Sequence, residues 1–391
     1  MFHHEVLVFR SGGRSNYRIP SMVALKDGTI LAFCNDRKDS VVDAAPEKAL
    51  VYARKRPGKE WEEVKALRSV PGWEYMIGSA VYDAETDEVF LTAKCSPVAK
   101  KEFREYADEE IKKLDALAEE KAREAGLPFG DLIYRTADGG DTWVEEKQVL
   151  ETRPFTLHGG NVVQIGGLCH GCAHGIQLRH GPHAGRLLCP SRIFTDRYTT
   201  WEEAVLCCFN NSIYSDDHGR TWHASAPVQQ GTGEGTLIED GDGVIHYNSR
   251  GMLRNQKRYL ATSTDGGETY TDFRTAEFLF EEKYRGCNAS FLRVERSELP
   301  GLPEHADSIT LFANPRAEDR SHMTLCYSWD SGKTWAGTKC VWEEGSAYSS
   351  LVYDAVSQHF FLQYEKGSSA EKRYEFGMGV LEFDLEWLLT E

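Results

Sequence analysis

The feature that most constrains this chain is an eight-residue pattern, Ser/Thr-x-Asp-x-Gly-x-x-Trp/Tyr, which occurs four times. The copies are TADGGDTW (Thr136 to Trp143), SDDHGRTW (Ser215 to Trp222), STDGGETY (Ser263 to Tyr270) and SWDSGKTW (Ser328 to Trp335). Each holds the chemistry of a tight hairpin: a hydroxyl and a carboxylate that bond nearby backbone N–H groups, and a glycine that accepts positive φ. The Asp, the Gly, a threonine and the closing aromatic persist in all four, whereas His218 and Arg220 occur in one copy each. A site needed once would not be built four times. The acid-rich cluster YSDDHGRTW therefore reads as a turn, with Asp216 and His218 as exposed passengers.

The repeat aspartates, Asp138, Asp217, Asp265 and Asp330, stand 79, 48 and 65 residues apart, which suits an array of antiparallel sheets better than a uniform solenoid. Between them lie short runs rich in β-formers, several of them two strands around a turn, such as SMVALKDGTILAFC and SSLVYDAVSQHFFLQYE. The expectation is an all-β chain, a six-bladed β-propeller at about 65 residues per blade, which leaves few exposed edges. The last run, FGMGVLEFDL, would complete the first blade and close the ring. One stretch breaks the pattern. From Lys100 to Gly126, apolar residues at steps of three and four between Glu/Lys pairs predict an amphipathic helix inserted between strand pairs, covering a blade or shaping its rim. A single domain over residues 1–391, with the helical insertion at about 98–130, accounts for the whole chain.

Composition narrows the partners. A net charge of −16 argues against nucleic acid and anionic membrane surfaces. No apolar run reaches membrane-spanning length, and the opening MFHHEVLVFRSGGRS lacks the layout of a signal peptide, so an intracellular chain is expected. The ten cysteines show no framework spacing and read as reduced. In LCHGCAHG, Cys169, Cys172, His170 and His174 could ligate zinc, but no second pair stands at a finger-like distance, so no metal is expected.

In so acidic a chain, a pocket for an anion requires local arginines, whose planar fork meets a carboxylate with two parallel bonds. Arg18 in YRIPSM, Arg250 in HYNSRG and Arg320 in EDRSHMTLCYS fit that need. The RIP tripeptide, the four repeats and the three spaced arginines together resemble the sialidase (neuraminidase) family of bacterial and animal type, from about Tyr17 to Glu365. The resemblance implies a six-bladed propeller in which Arg18, Arg250 and Arg320 grip the carboxylate of a sialic acid. It also implies a glutamate about sixteen residues before the second arginine; Glu234 stands there, with Glu239 a lesser alternative. SAYSSLVYD resembles the segment of the nucleophilic tyrosine and offers Tyr348, or less well Tyr353. For the acid/base carboxyl the resemblance points to Asp43, with Asp39 the alternative, and Arg37 resembles an additional arginine at the carboxylate. Glu365 matches the late glutamate that holds the first arginine, and Asn288 falls where the family has an amide near the pocket.

A tyrosine nucleophile has a physical rationale. A sialoside carries its carboxylate on the anomeric carbon, so a carboxylate nucleophile would approach a like charge, and sialidases with a tyrosine nucleophile are an exception to the two-carboxylate rule. A phenol with a pKa near 10 is ionised in roughly one molecule per thousand at neutral pH, so a neighbouring base such as Glu234 must take its proton. The implied activity is a retaining exo-α-sialidase acting on sialylated glycans without a cofactor. A trans-sialidase, an anhydro-forming enzyme and a non-catalytic glycan- or protein-binding propeller remain alternatives, and a homo-oligomer is left open.

Overall fold

The computed structural model describes the chain except residues 44, 46, 98–107, 149, 151–153, 157–161, 164–166, 196–199 and 391, and the side chains of 108–115, 163, 167–170, 201 and 204. Its strands pair in successive antiparallel groups, each beginning at the axis of a ring. The first is β2 (Ser15–Ala24), β3 (Ile30–Lys38), β4 (Lys48–Lys55) and β5 (Lys65–Arg68); the next is β6 (Trp73–Asp83), β7 (Glu88–Pro97), β8 (Gly130–Thr136) and β9 (Val144–Lys147). After a small ladder of β10 (Phe155–Thr156) and β11 (Val162–Val163), the inner segments β12 (Gly167–His170) and β13 (Ile176–Gln177) both pair with β14 (Leu187–Phe194), followed by β15 (Cys208–Ser215) and β16 (His223–Ala224). Then come β17 (Thr232–Glu239), β18 (Ile245–Gly251), β19 (Lys257–Ser263) and β20 (Thr271–Phe280). β21 (Ser290–Glu295), β22 (Ser308–Pro315) and β23 (Ser321–Ser328) pair onward to the first half of β24 (Gly337–Asp354). The second half of β24 pairs with β25 (His359–Lys366), which pairs with β26 (Gly377–Phe383).

This is an all-β propeller. Its apolar residues gather between neighbouring groups rather than in one central mass: Phe33 and Tyr52 meet Tyr75 and Leu91 at one interface, Phe90 and Ile133 meet Leu187 and Phe209 at the next, and Phe9 and Met22 meet Phe361 and Val380 at the closure. Closure differs from expectation. β26 does not complete the first group; β1 (His3–Arg10) instead lies antiparallel to β26 as the outer strand of the last group. The first group already has four consecutive strands, so the unpaired edge that remains to be covered belongs to the C-terminal hairpin.

The inserted helix spans α1 (Asp108–Ala125), and the expected portion over 100–107 lies outside the described residues. It buries Ala122 against the cluster holding Trp73, Tyr75 and Leu132. Gly126, at φ 64°, ends it: its N–H bonds the Arg123 carbonyl and that of Leu127 the Ala122 carbonyl, a paired closure that needs a left-handed residue.

All four repeats fold alike. In the second, Ser215 Oγ donates to Asp217 Oδ1 at 2.9 Å and accepts from Gly219 N at 2.9 Å, while Asp217 accepts from Thr221 N at 2.8 Å and Thr221 Oγ1 at 2.7 Å. Asp138, Asp265 and Asp330 repeat these bonds. The closing aromatics reach neighbouring groups, Trp143 packing on Phe33 and Tyr52, and Trp222 on Phe90. Asp216 and His218, expected to be idle, are bonded as well. Asp216 takes a two-pronged contact from Arg186 Nε and Nη2 at 2.7 and 2.8 Å, and Arg186 Nη1 reaches the Gly266 carbonyl of the next repeat at 3.0 Å. His218 Nδ1 lies 2.8 Å from Asp83, a fully buried carboxylate at the β6–β7 turn that also accepts from Gln177 Nε2 at 2.7 Å. A turn at the rim places such side chains against segments distant in the chain, a contact no single repeat reveals.

Desolvation pushes the Asp83 carboxyl up, but the hydrogen bonds from His218, Gln177 and two backbone N–H groups outweigh it and leave its pKa lowered. Its stabilisation is therefore present above the unfolded carboxylate pKa of about 3.9 and is lost as pH falls through the folded value. We expect Asp83→Asn to cost about 1–3 kcal/mol at neutral pH and to flatten the loss of stability below about pH 4, measured by urea unfolding across pH.

Candidate active site

Four of the inner strands break register, three of them just where a candidate site residue, Arg18, Glu234 or Tyr348, stands. The slip falls between Arg18 and Ser21 in β2, Ile77 and Ala80 in β6, Thr232 and Gly235 in β17, and Ser346 and Ser349 in β24. A bulge twists a strand and re-aims one side chain out of the ladder, and the re-aimed Arg18, Glu234 and Tyr348 meet one another. In β2 the distortion is marked: Ile19, a β-branched residue, sits at φ 67°. In β17 room is made by Gly235, where an added Cβ would lie 2.0 Å from the Tyr247 ring, which explains why this position cannot be bulkier.

Glu365, fully buried on β25, organises one side of the site. Its Oε1 accepts from Arg18 Nε at 2.6 Å and Ile19 N at 2.9 Å, and its Oε2 from Tyr348 N at 2.9 Å. Desolvation works to lower the pKa of Arg18, but Glu365 keeps this buried guanidinium firmly charged. Arg250 organises the other side. Its Nη1 donates to Glu234 Oε2 at 2.6 Å and to the Tyr348 hydroxyl at 2.9 Å, and its Nε to the Arg285 carbonyl at 2.7 Å. The Tyr348 hydroxyl donates to Glu234 Oε1 at 2.7 Å. Arg18 and Arg320 each stand 5.7 Å from the Tyr348 ring centroid. Three arginines from three groups of the propeller thus surround one tyrosine.

The proton on this tyrosine is held. Desolvation raises the Tyr348 pKa well above the ordinary phenol value and Glu234 adds to it, against the pull of Arg250 and Arg320. For Glu234 desolvation pushes upward, but Arg250, Arg192 and the Tyr348 hydrogen bond overrule it and hold the carboxyl well below its ordinary range. Arg192 Nη1 stands 3.9 Å from Glu234 Oε1. In the unliganded site the base is charged and the phenol neutral.

Arg37 is buried, donating to the Val41 carbonyl at 2.8 Å and pairing with Asp43 at 2.8 Å. Asp43 is crowded on its pocket side, yet 86 % of its side-chain surface is open to solvent, and solvent contact governs its environment. Desolvation raises its pKa, and Arg37, Arg18 and Lys48 overcome that to leave it lowered. Asp39 turns away, paired with Arg14 at 2.7 Å on the exposed rim. Glu239 and Tyr353 lie at the opposite ends of β17 and β24, Glu239 accepting from Arg179 N and His180 N and Tyr353 donating to the Glu298 carbonyl. Asn288 is buried next to Cys287, and its amide has no hydrogen-bond partner among the described residues. His174 is buried with its pKa pressed to about 4 by desolvation, the side chains of Cys169 and His170 lie outside the described residues, and no metal-ligating cluster occurs among the described residues. One contributor went unread: Tyr374, whose ring lies 3.6 Å from Arg18 Cζ and whose hydroxyl accepts from Arg320 Nη1 at 3.0 Å. Its signal, an aromatic in the polar segment EKRYEFG, is weak because nothing local ties it to arginines far away in the chain.

A model of the BNR repeat-like domain matches residues 80–359, most of the chain. The chain is also 29 % identical over 384 residues to the sialidase of Micromonospora viridifaciens, covering 96 % of this chain and 52 % of that protein. The chain belongs to the sialidase family. Mouse Sialidase-3 is 28 % identical over 316 residues, 75 % of this chain and 66 % of its own length. Among solved structures, the intramolecular trans-sialidase of Ruminococcus gnavus shares the fold at a TM-score of 0.71 and 17 % identity, with 98 % of each chain covered. The chain spans about half the length of the curated sialidases it matches first, 52 % and 57 %.

Breaking the buried pair tests its structural weight. Glu365→Ala should cost about 3–5 kcal/mol in urea unfolding because it leaves a buried guanidinium unpaired, and the double change Arg18→Met with Glu365→Met should recover much of that loss.

Proposed function

We propose that this sialidase-family chain is a retaining exo-α-sialidase acting on terminal sialic acids of glycans. The observation that carries the reading is the convergence of Arg18, Arg250 and Arg320 on a tyrosine already bonded to a glutamate. Three guanidinium groups suit one carboxylate, and a neutral nucleophile beside them suits an anomeric centre that bears that carboxylate. Family membership supports the same reading.

In the proposed mechanism the sugar carboxylate docks on the three arginines. Its negative charge offsets the field of Arg250 on Glu234 and of Arg18 and Arg37 on Asp43, so both carboxyls become easier to protonate when substrate is bound. Glu234 takes the Tyr348 proton, Tyr348 Oη attacks the anomeric carbon, and Asp43 delivers a proton to the departing glycosidic oxygen. Asp43 then removes a proton from the water that releases the sugar, and the tyrosine regains its own from Glu234. Exposure of Asp43 fits a group that must trade protons with an aglycone and with solvent.

Release of a fluorescent aglycone from an α-sialoside tests this reading. Tyr348→Phe should lower kcat/KM by on the order of 10³ or more, and equal rates would refute the nucleophile. Asp43→Asn should slow a sugar leaving group by about 10²–10⁴ while sparing a nitrophenol, which leaves without a proton. Because Asp43 must be protonated to act and its pKa is lowered in the free site, kcat/KM for the sugar leaving group should fall as pH rises toward neutrality. Proton NMR of the first-formed product separates α-sialic acid from an anhydro sugar or a transfer product.

A further inference from the structure

Within that reading, one residue at the carboxylate end has a role beyond those of the arginines. Tyr374 lies in the connection between β25 and β26, at residues 367–376. The Arg18 guanidinium lies over its ring at 3.6 Å, close enough for strong cation–π attraction in a buried setting. Its hydroxyl oxygen accepts from Arg320 Nη1 at 3.0 Å. A phenol that accepts through its oxygen still has its own hydrogen to donate. The two guanidinium groups that Tyr374 meets, those of Arg18 and Arg320, both stand 5.7 Å from the Tyr348 ring.

We propose that Tyr374 is a fourth member of the carboxylate clamp: its hydroxyl donates to one carboxylate oxygen of the substrate, while its ring and oxygen hold Arg18 and Arg320 at the spacing that carboxylate needs. A neutral donor adds a hydrogen bond to the anion without cancelling the positive field of the arginines, as a carboxylic side chain would. The remaining contacts of the two arginines leave this role open. Arg18 is held from the side by Glu365 and the Val41 carbonyl, and Arg320 by the Gly286 carbonyl at 3.1 Å, with Glu282 at 3.7 Å.

The segment that carries Tyr374 is held closely enough to place a donor. Gly345 and Gly367 lie against it with no room for a side chain: a Cβ on Gly345 would meet the Ser369 carbonyl oxygen at 1.8 Å, and one on Gly367 the Lys372 carbonyl oxygen at 1.7 Å. Backbone bonds from Gly367 N to the Gly345 carbonyl at 2.8 Å and from Phe376 N to the Lys366 carbonyl at 3.0 Å close it at both ends. Arg373 Cζ stands 4.8 Å from the Tyr374 ring. The hydroxyl is thus presented before substrate arrives, which spares the ordering cost of a mobile loop.

The test compares wild type, Tyr374→Phe and Tyr374→Ala by calorimetric binding of the 2,3-unsaturated sialic acid analogue and of its methyl ester, alongside turnover of the fluorescent sialoside. Loss of one hydrogen bond to a charged group should weaken analogue binding and raise KM by about tenfold in the Phe variant, with kcat within about threefold and an unchanged Tm. The Ala variant, which also unstacks Arg18, should lose about a hundredfold. Wild-type preference for the free acid over the ester should shrink by the same tenfold factor in the Phe variant, a change that a purely supporting role for the ring would not produce. If wild type binds and cleaves but Tyr374→Phe matches it in Kd, KM and acid preference, this proposal alone is overturned. If wild type neither binds the analogue nor cleaves the sialoside, the functional reading falls and the clamp with it.

Discussion

The carboxylate of Glu365 touches Arg18 Nε, Ile19 N and Tyr348 N, and through these three bonds it joins the first inner strand to the last. Residues 18 and 365 are separated by nearly the whole chain, so this contact exists only when the ring is closed. Much of the site depends on it. It holds Ile19 in a left-handed conformation that its branched side chain disfavours, neutralises a guanidinium that burial would otherwise penalise, and seats the backbone of Tyr348. β1 on β26 closes the ring at its outer edge, while Glu365 closes it at the axis.

The rim is joined by other means. Each repeat forms its own network of hydroxyl, carboxylate and backbone bonds, and its aromatic or polar side chains then reach a neighbour. Trp143, Trp222, the pair Asp83 with His218 and the bond from Arg186 to the Gly266 carbonyl all cross between groups. The same turns that terminate strands therefore fasten the array. Bulges in the inner strands stand beside Arg18, Glu234 and Tyr348, which meet one another.

Electrostatics explains how an acidic protein can hold a locally positive pocket. A net charge of −16 is spread over the surface, whereas Arg18, Arg37, Arg192, Arg250 and Arg320 gather around one pocket with Glu234, Glu365 and Asp43 as counter-charges. At short range and low exposure these guanidinium groups act far more strongly than the distant surface carboxylates, which water screens. The resting site is charge-paired, and in the proposed mechanism an incoming carboxylate alters the balance at Glu234 and Asp43 together.

Much of this was legible in the chain itself. Four copies of one turn and the β-rich runs between them identified a propeller, because turn geometry and strand alternation are local properties that a few adjacent residues determine. The helix was legible for the same reason. Other features depend on contacts between distant residues. Asp216 and His218 look idle within their own repeat, and only Arg186 and Asp83 from neighbouring segments reveal what they bind. The direction of ring closure depended on which sheet edge lay open. Asp43 and Asp39, four residues apart, are chemically alike in the sequence, and only Arg37 and Arg14 separate the one at the pocket from the one at the rim. Tyr374 gained its place from a stack and a hydrogen bond to arginines more than fifty residues away. The sequence alone determined which turns and strands form and which charges a pocket could draw on. Which side chains meet was decided only by the tertiary structure, because the closed ring brings together residues whose mutual attraction no local window contains.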